Sequence, residues 1–168
     1  MAITTLYASI EGILEAVETY LVAEMEDGGK LEEVKSYGLM SSDMPTPPYP
    51  GLWWSAGTLA APSALTSVRE IWEMPIVIAS LTWSDQPDTG SVHNTKPAAE
   101  GRTGGILANK LASDARGILL DSYTLGLDYV SGLKSDRFDP AAPIDRKKQT
   151  FSALALVNVT FATTRSRS

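Results

Sequence analysis

The sequence predicts an α+β fold: an antiparallel or mixed β-sheet with two α-helices packed on one face, in the order α-β-β-β-α-β-β. Three patterns carry this. Apolar residues recur at three- and four-residue steps near the N-terminus and again after residue 104, which marks two amphipathic helices. Phe151, Ala153, Ala155, Val157, Val159 and Phe161 alternate without a break, which marks a strand with one buried face. Between these elements lie polar stretches rich in glycine and proline, which punctuate rather than propagate regular structure.

The first helix is expected from about Thr5 to Asp27, with Leu6, Ile10, Ile13, Val17, Tyr20, Leu21 and Met25 on one stripe. Thr4 or Thr5 can cap its start, and Gly28-Gly29 is expected to stop it. A short strand follows within Lys30–Tyr37. The prolines at 45, 47, 48 and 50 exclude helix before the aromatic strand Gly51–Ala56. The next strand spans Ser67 to Trp83 and centres on Pro75–Trp83, with Pro75 either opening the run or marking a bulge. The second helix runs from Gly104 to Tyr123, with Ile106, Leu107, Leu111, Ala115, Ile118 and Leu119 as its stripe. A strand at Leu127–Phe138, with Gly132 a possible bulge, precedes the last strand, Lys148–Thr163. A single domain over residues 1–164 results, with long loops at 38–50, 57–67 and 85–103 and a disordered tail at 165–168.

In the last strand Leu154 and Leu156 lie opposite the alternating set, so both of its faces carry apolar residues. Trp53 and Trp54, as neighbours in a strand, must point to opposite faces. Two helices cover one face of such a sheet, and part of the other face needs a different cover.

Composition removes several chemistries. The chain has 168 residues, no cysteine and one histidine, His93, so disulfides, thiolate nucleophiles and His-pair metal sites are excluded. The net charge of −6 argues against a dedicated nucleic-acid binder. No apolar run approaches the ~18 residues that span a bilayer, and Met1–Thr5 has no secretory character. Absence of cysteine and signal fits folding in a reducing cytosol.

Site motifs are weak. Glu100-Gly101-Arg102-Thr103-Gly104-Gly105 enters a helix but lacks the Gly-Lys-Ser/Thr of a phosphate loop. His93 has no recognisable partner in the sequence, and the acidic pairs Glu32-Glu33, Asp85 with Asp88 and Asp136 with Asp139 lack calcium-loop spacing. Trp53, Trp54, Trp72 and Trp83 have only Arg69 nearby as a base, so packing suits them better than nucleotide stacking. Arg146-Lys147-Lys148 is the one basic cluster. It reads as a hairpin tip of solubilising charge, with contact to DNA phosphates or to a neighbour as the other reading.

The element order then matters more than any motif. A long N-terminal helix, the proline-rich entry Pro47-Pro48-Tyr49-Pro50-Gly51-Leu52-Trp53, a long polar loop, a second helix and a closing hairpin resemble the tail-terminator and tail-completion (neck) proteins of tailed bacteriophages. The resemblance covers Thr5 to Thr163, with an extra segment at Ser55–Glu73. It implies a virion structural protein, not an enzyme and without cofactor or metal. It implies a ring of identical subunits, typically six, that caps the tail tube and joins it to the head or neck. The implied partners are further copies, the tail tube protein and connector or neck proteins. DNA would pass without specific binding, no membrane is involved, and the chain would fold in the host cytoplasm before entering the virion. Trp54, Leu154, Leu156, His93 and Arg102 are the expected subunit contacts. A head–tail connector of the same virus type is the alternative. Two further readings belong to other classes: a small hydrolase using carboxylates around Asp85–Glu100, and a ligand-binding module with an aromatic cleft at Trp53–Trp54.

Overall fold

A computed structural model describes residues 5–40, 50–60, 64–65, 69–83, 104–145 and 150–164. The elements are α1 (Leu6–Ala23), β1 (Ser36–Leu39), β2 (Gly51–Ala56), β3 (Ala64–Leu65), β4 (Arg69–Trp83), α2 (Gly104–Ser122), β5 (Val130–Asp145) and β6 (Thr150–Thr164). This is the α+β class the sequence predicts. Within the stretches expected as loops at 38–50 and 57–67, β1 extends to Leu39 and β3 lies at 64–65, and residues 41–49, 61–63 and 66–68 lie outside the described residues. The segment 85–103 and the tail 165–168 lie outside the described residues.

The strands form one mixed sheet in the order β1-β2-β4-β6-β5, with β3 paired to the far end of β4. β1 runs parallel to β2, and the other pairs are antiparallel. β4 and β6 pair without a slip from Arg69↔Thr164 to Trp83↔Thr150. Fifteen residues of strand extend roughly 50 Å, whereas the 19 residues of α2 extend roughly 28 Å. The central ribbon therefore outruns α2.

Pro75 neither opens β4 nor bulges it. Its carbonyl accepts the Gly57 N–H at 2.7 Å, so its nitrogen also faces the β2 and β3 side. There β2 ends at Ala56, opposite Ile76, and β3 begins opposite Ile71. Proline thus sits where the β2 ladder ends, and its missing donor forgoes only the reciprocal of that terminal bond.

Both helices pack on one face. α1 contributes Ile13, Val17 and Leu21, and α2 contributes Leu107, Leu111, Ala115, Ile118 and Leu119. They meet Leu52, Trp54, Met74, Ile76, Ile78, Ala155, Val159 and Phe161 from the sheet. Thr5 caps α1, its hydroxyl accepting the Ala8 N–H at 3.4 Å. The helix ends at Ala23 rather than at Asp27. The chain folds back so that Leu31, wholly buried, donates its N–H to the Glu24 carbonyl at 2.8 Å. Gly29 permits this, since a Cβ there would fall 2.1 Å from that carbonyl oxygen. Ile106, expected on the α2 stripe, is 46% exposed, and Ala108 and Ala112 take the buried positions instead. Small residues suit the place: Ala108, Ala112 and Ala153 pack together, and this end of α2 lies close against the sheet.

Two buried hydroxyls fix that end. Ser80 donates to the Ala108 carbonyl at 2.8 Å, and Thr82 donates to the Gly104 carbonyl at 2.7 Å. Each buried hydroxyl so satisfied contributes about 1 kcal/mol net, and costs more than that if left unpaired. On the outer side Lys110 reaches Glu33 at 2.9 Å, the Lys30 carbonyl at 2.9 Å and Asp114 at 3.1 Å, tying the α1–β1 connection to α2.

β5 forms one edge of the sheet. Its register with β6 slips four times, between Val130/Gly132, Ser135/Arg137, Asp139/Ala142 and Pro143/Asp145. The first slip includes Gly132, where the sequence suggested a bulge. Bulges, charge and proline are devices that keep an edge strand from pairing with a stranger.

Candidate functional site

The second face of the sheet is assembled by parity. In β4 the even positions 74 to 82 face the helices and are buried, so Val77, Ala79, Leu81 and Trp83 point the other way. In β6 the odd positions 153 to 161 face the helices, which turns Leu154 and Leu156 to the second face. Register then places these side chains in rows. Trp53, Ala79 and Leu154 form one row across three strands, and Ser55, Val77 and Leu156 form the next.

Trp53, Val77, Ala79, Leu154 and Leu156 are each half-buried. The strip grades into Leu81, which is buried at 5%, and then into Trp83, which is 48% exposed. Charges border it. Asp139 and Arg137 stand opposite Leu154 and Leu156 on β5 and pair with each other at 2.8 Å. Glu73 and Lys134 meet at 3.7 Å towards the β3 end. The Asp139 carboxylate holds the Arg137 guanidinium above the usual arginine pKa, first by a hydrogen bond and then by its charge. An apolar centre with a rim of paired charges is the anatomy of a protein–protein contact.

The site residues named from sequence fare differently. Leu154 and Leu156 lie on the second face as expected. Trp54 does not. It is wholly buried on the helix face, stacked on Tyr37 with ring centres 6.1 Å apart and planes 10° from parallel. Its neighbour Trp53 occupies the second face instead. The parity that puts Leu52 in the core puts Trp54 there too, and that signal was present in Gly51-Leu52-Trp53-Trp54. Because the two indoles point to opposite faces, they cannot wall a common cleft. Both indole N–H groups are buried and have no hydrogen-bond partner among the described residues. Trp72 differs, its N–H reaching the Thr163 hydroxyl at 3.1 Å. His93, Arg102, Arg146, Lys147 and Lys148, and the acids of Asp85–Glu100, lie outside the described residues. Alternation with Ile76 and Ile78 already sets Val77 on this face from the sequence, whereas sequence reasoning missed Ala79, which shares its parity and stands opposite Leu154.

Among the described residues no group of three or more His, Asp or Glu side chains could hold a metal ion. No helix among them is long and apolar enough to cross a membrane. No protein-family model matches the chain, and no curated protein matches it in sequence.

Proposed function

We propose that the chain is an architectural subunit of a phage tail, a terminator whose copies close into a ring that caps the tube and presents a joint to the head or neck. The observation that carries this reading is the second face of the sheet: an apolar strip of Trp53, Val77, Ala79, Leu154 and Leu156 rimmed by two ion pairs. A heterologous contact repeated with rotation closes a ring of identical subunits. The bulged β5 edge supports the same reading, since it discourages growth by edge pairing and leaves the face as the place to meet a neighbour. The order of elements adds the resemblance to tail-terminator and neck proteins.

The test is the mass and shape of the purified chain from micromolar to millimolar concentration, by light scattering and electron microscopy. A ring of six 18.0 kDa copies has a mass of about 108 kDa and a visible central hole. Leu154→Asp should leave a folded monomer and no rings. A wild-type chain that stays monomeric throughout and adds to no tail tube would end the proposal.

A further inference from the structure

A second feature lies on the opposite side of the molecule, between α2 and β5, and stands apart from the assembly reading. Asn109, Ser113 and Arg116 follow each other along one stripe of α2. Facing them are Ser135 and Phe138 of β5. Three positions apart in a regular strand, these two would point to opposite faces. They do not, because Asp136 is an extra residue: Ser135 stands opposite Val157, Arg137 opposite Leu156 and Phe138 opposite Ala155. The bulge restores parity and turns both side chains towards the helix, the re-aiming for which bulges are used beside functional sites.

Two clamps frame the space. Arg116 Nε donates to the Ser135 hydroxyl at 2.8 Å, at the Ser135/Arg137 slip. The Asn109 side-chain oxygen accepts the Ala141 N–H at 2.7 Å, at the Asp139/Ala142 slip. Between them runs a groove of about 310 Å³ lined by Asn109, Ser113, Arg116, Ser135 and Phe138. That volume is at the small end of ligand sites, ~300–1,000 Å³. The lining holds one guanidinium and no carboxylate, in a chain whose net charge is −6. The clamps use Arg116 Nε and the Asn109 oxygen, which leaves the terminal guanidinium nitrogens, the Asn109 amide N–H groups and the Ser113 hydroxyl as donors. Among the described residues no acid pairs with Arg116.

We propose that this groove is a carboxylate subsite that takes a Glu or Asp side chain from an acidic polypeptide segment. The fork of a guanidinium matches a carboxylate in two parallel hydrogen bonds. Phe138 supplies an apolar wall for the methylenes behind it. Asp139 is held by Arg137 on the other face of the sheet and Asp114 by Lys110, so neither occupies the Arg116 guanidinium.

The experiment titrates the full chain with acetylated, amidated pentaglutamate and follows backbone amides by NMR. Saturable shifts at Asn109, Ser113, Arg116 and Ser135 are expected, and pentaglutamine should give none. Arg116→Gln should weaken binding by about tenfold or more, as loss of a charge-assisted pair does. Ser113→Ala, which breaks no bond between α2 and β5, should weaken it by about threefold with an unchanged melting temperature, the size of one modest hydrogen bond. If Arg116→Gln fails to fold, Ser113→Ala decides. The proposal is overturned by absence of saturable shifts, by unchanged affinity in the variants, or by inorganic phosphate or an oligonucleotide binding at the same residues as tightly as pentaglutamate.

Discussion

Alternate residues of the same three strands meet two different environments. On the helix side Trp54, Ile76, Ile78, Ala155, Val157 and Phe161 are shut away completely. One residue along in each strand, Trp53, Val77, Ala79, Leu154 and Leu156 are only half-buried, and the charges of Arg137, Asp139, Glu73 and Lys134 stand around them. The first set is closed by the chain's own helices. The second has the composition of a core and the border of a contact surface. Hydrophobicity alone does not distinguish the two sides; what distinguishes them is which one the helices occupy.

Substitution should break that contrast in graded steps. Val157→Asp, fully buried on the helix side, places an unpaired charge in the core and should abolish folding, a loss of about 3–5 kcal/mol or more. Leu154→Asp, three residues away on the opposite side, should change the melting temperature little and act on assembly. Circular dichroism melts of both variants separate the faces. The tryptophan pair sharpens the comparison: Trp54→Ala should cost about 3–5 kcal/mol of stability. Trp53→Ala should cost clearly less, measured by urea denaturation. If the two losses are equal, the second face belongs to the core.

Smaller effects test how the helix layer is held. Ser80→Ala removes the bond to the Ala108 carbonyl and should cost about 1 kcal/mol. Lys110→Met should cost less than about 1 kcal/mol, because its ion pairs are partly exposed. Burial works against the Lys110 charge, yet Glu33 and Asp114 outweigh it and hold its pKa above the ordinary lysine value. A group whose pKa rises on folding contributes fully below its unfolded pKa, about 10.4 for lysine. Its contribution is lost as pH rises through the folded value. The wild-type advantage over Lys110→Met should therefore persist across neutral pH and vanish only in strong alkali.

Much of this architecture was legible because it rests on strict periodicity. The alternation of 151–161 located the core face of β6 and, by subtraction, Leu154 and Leu156 on the other. The helix stripes placed α1 and α2 to within a few residues. What escaped depends on partners distant in sequence. Pro75 sits mid-strand because the β2 ladder ends beside it. Asp136 is a bulge only relative to β6. α1 stops short of its glycines because Leu31 returns to the core. Trp54 is the exception, since its parity with the buried Leu52 two residues earlier is local and places it on the helix face. Ala79 joins Val77 and the leucines only once β4 and β6 are aligned.

The irregular β5 border carries a consequence for failure as well as for design. An ordered, apolar outer strand is a template on which unfolded or swapped chains can stack without limit, producing fibres. Four register slips, with Pro140 and the charges of Lys134, Asp136, Arg137 and Asp139 among them, deny that template. Removing one of these slips by deleting Asp136 should show its protective value as more visible precipitation on ageing than the parent chain gives under the same conditions.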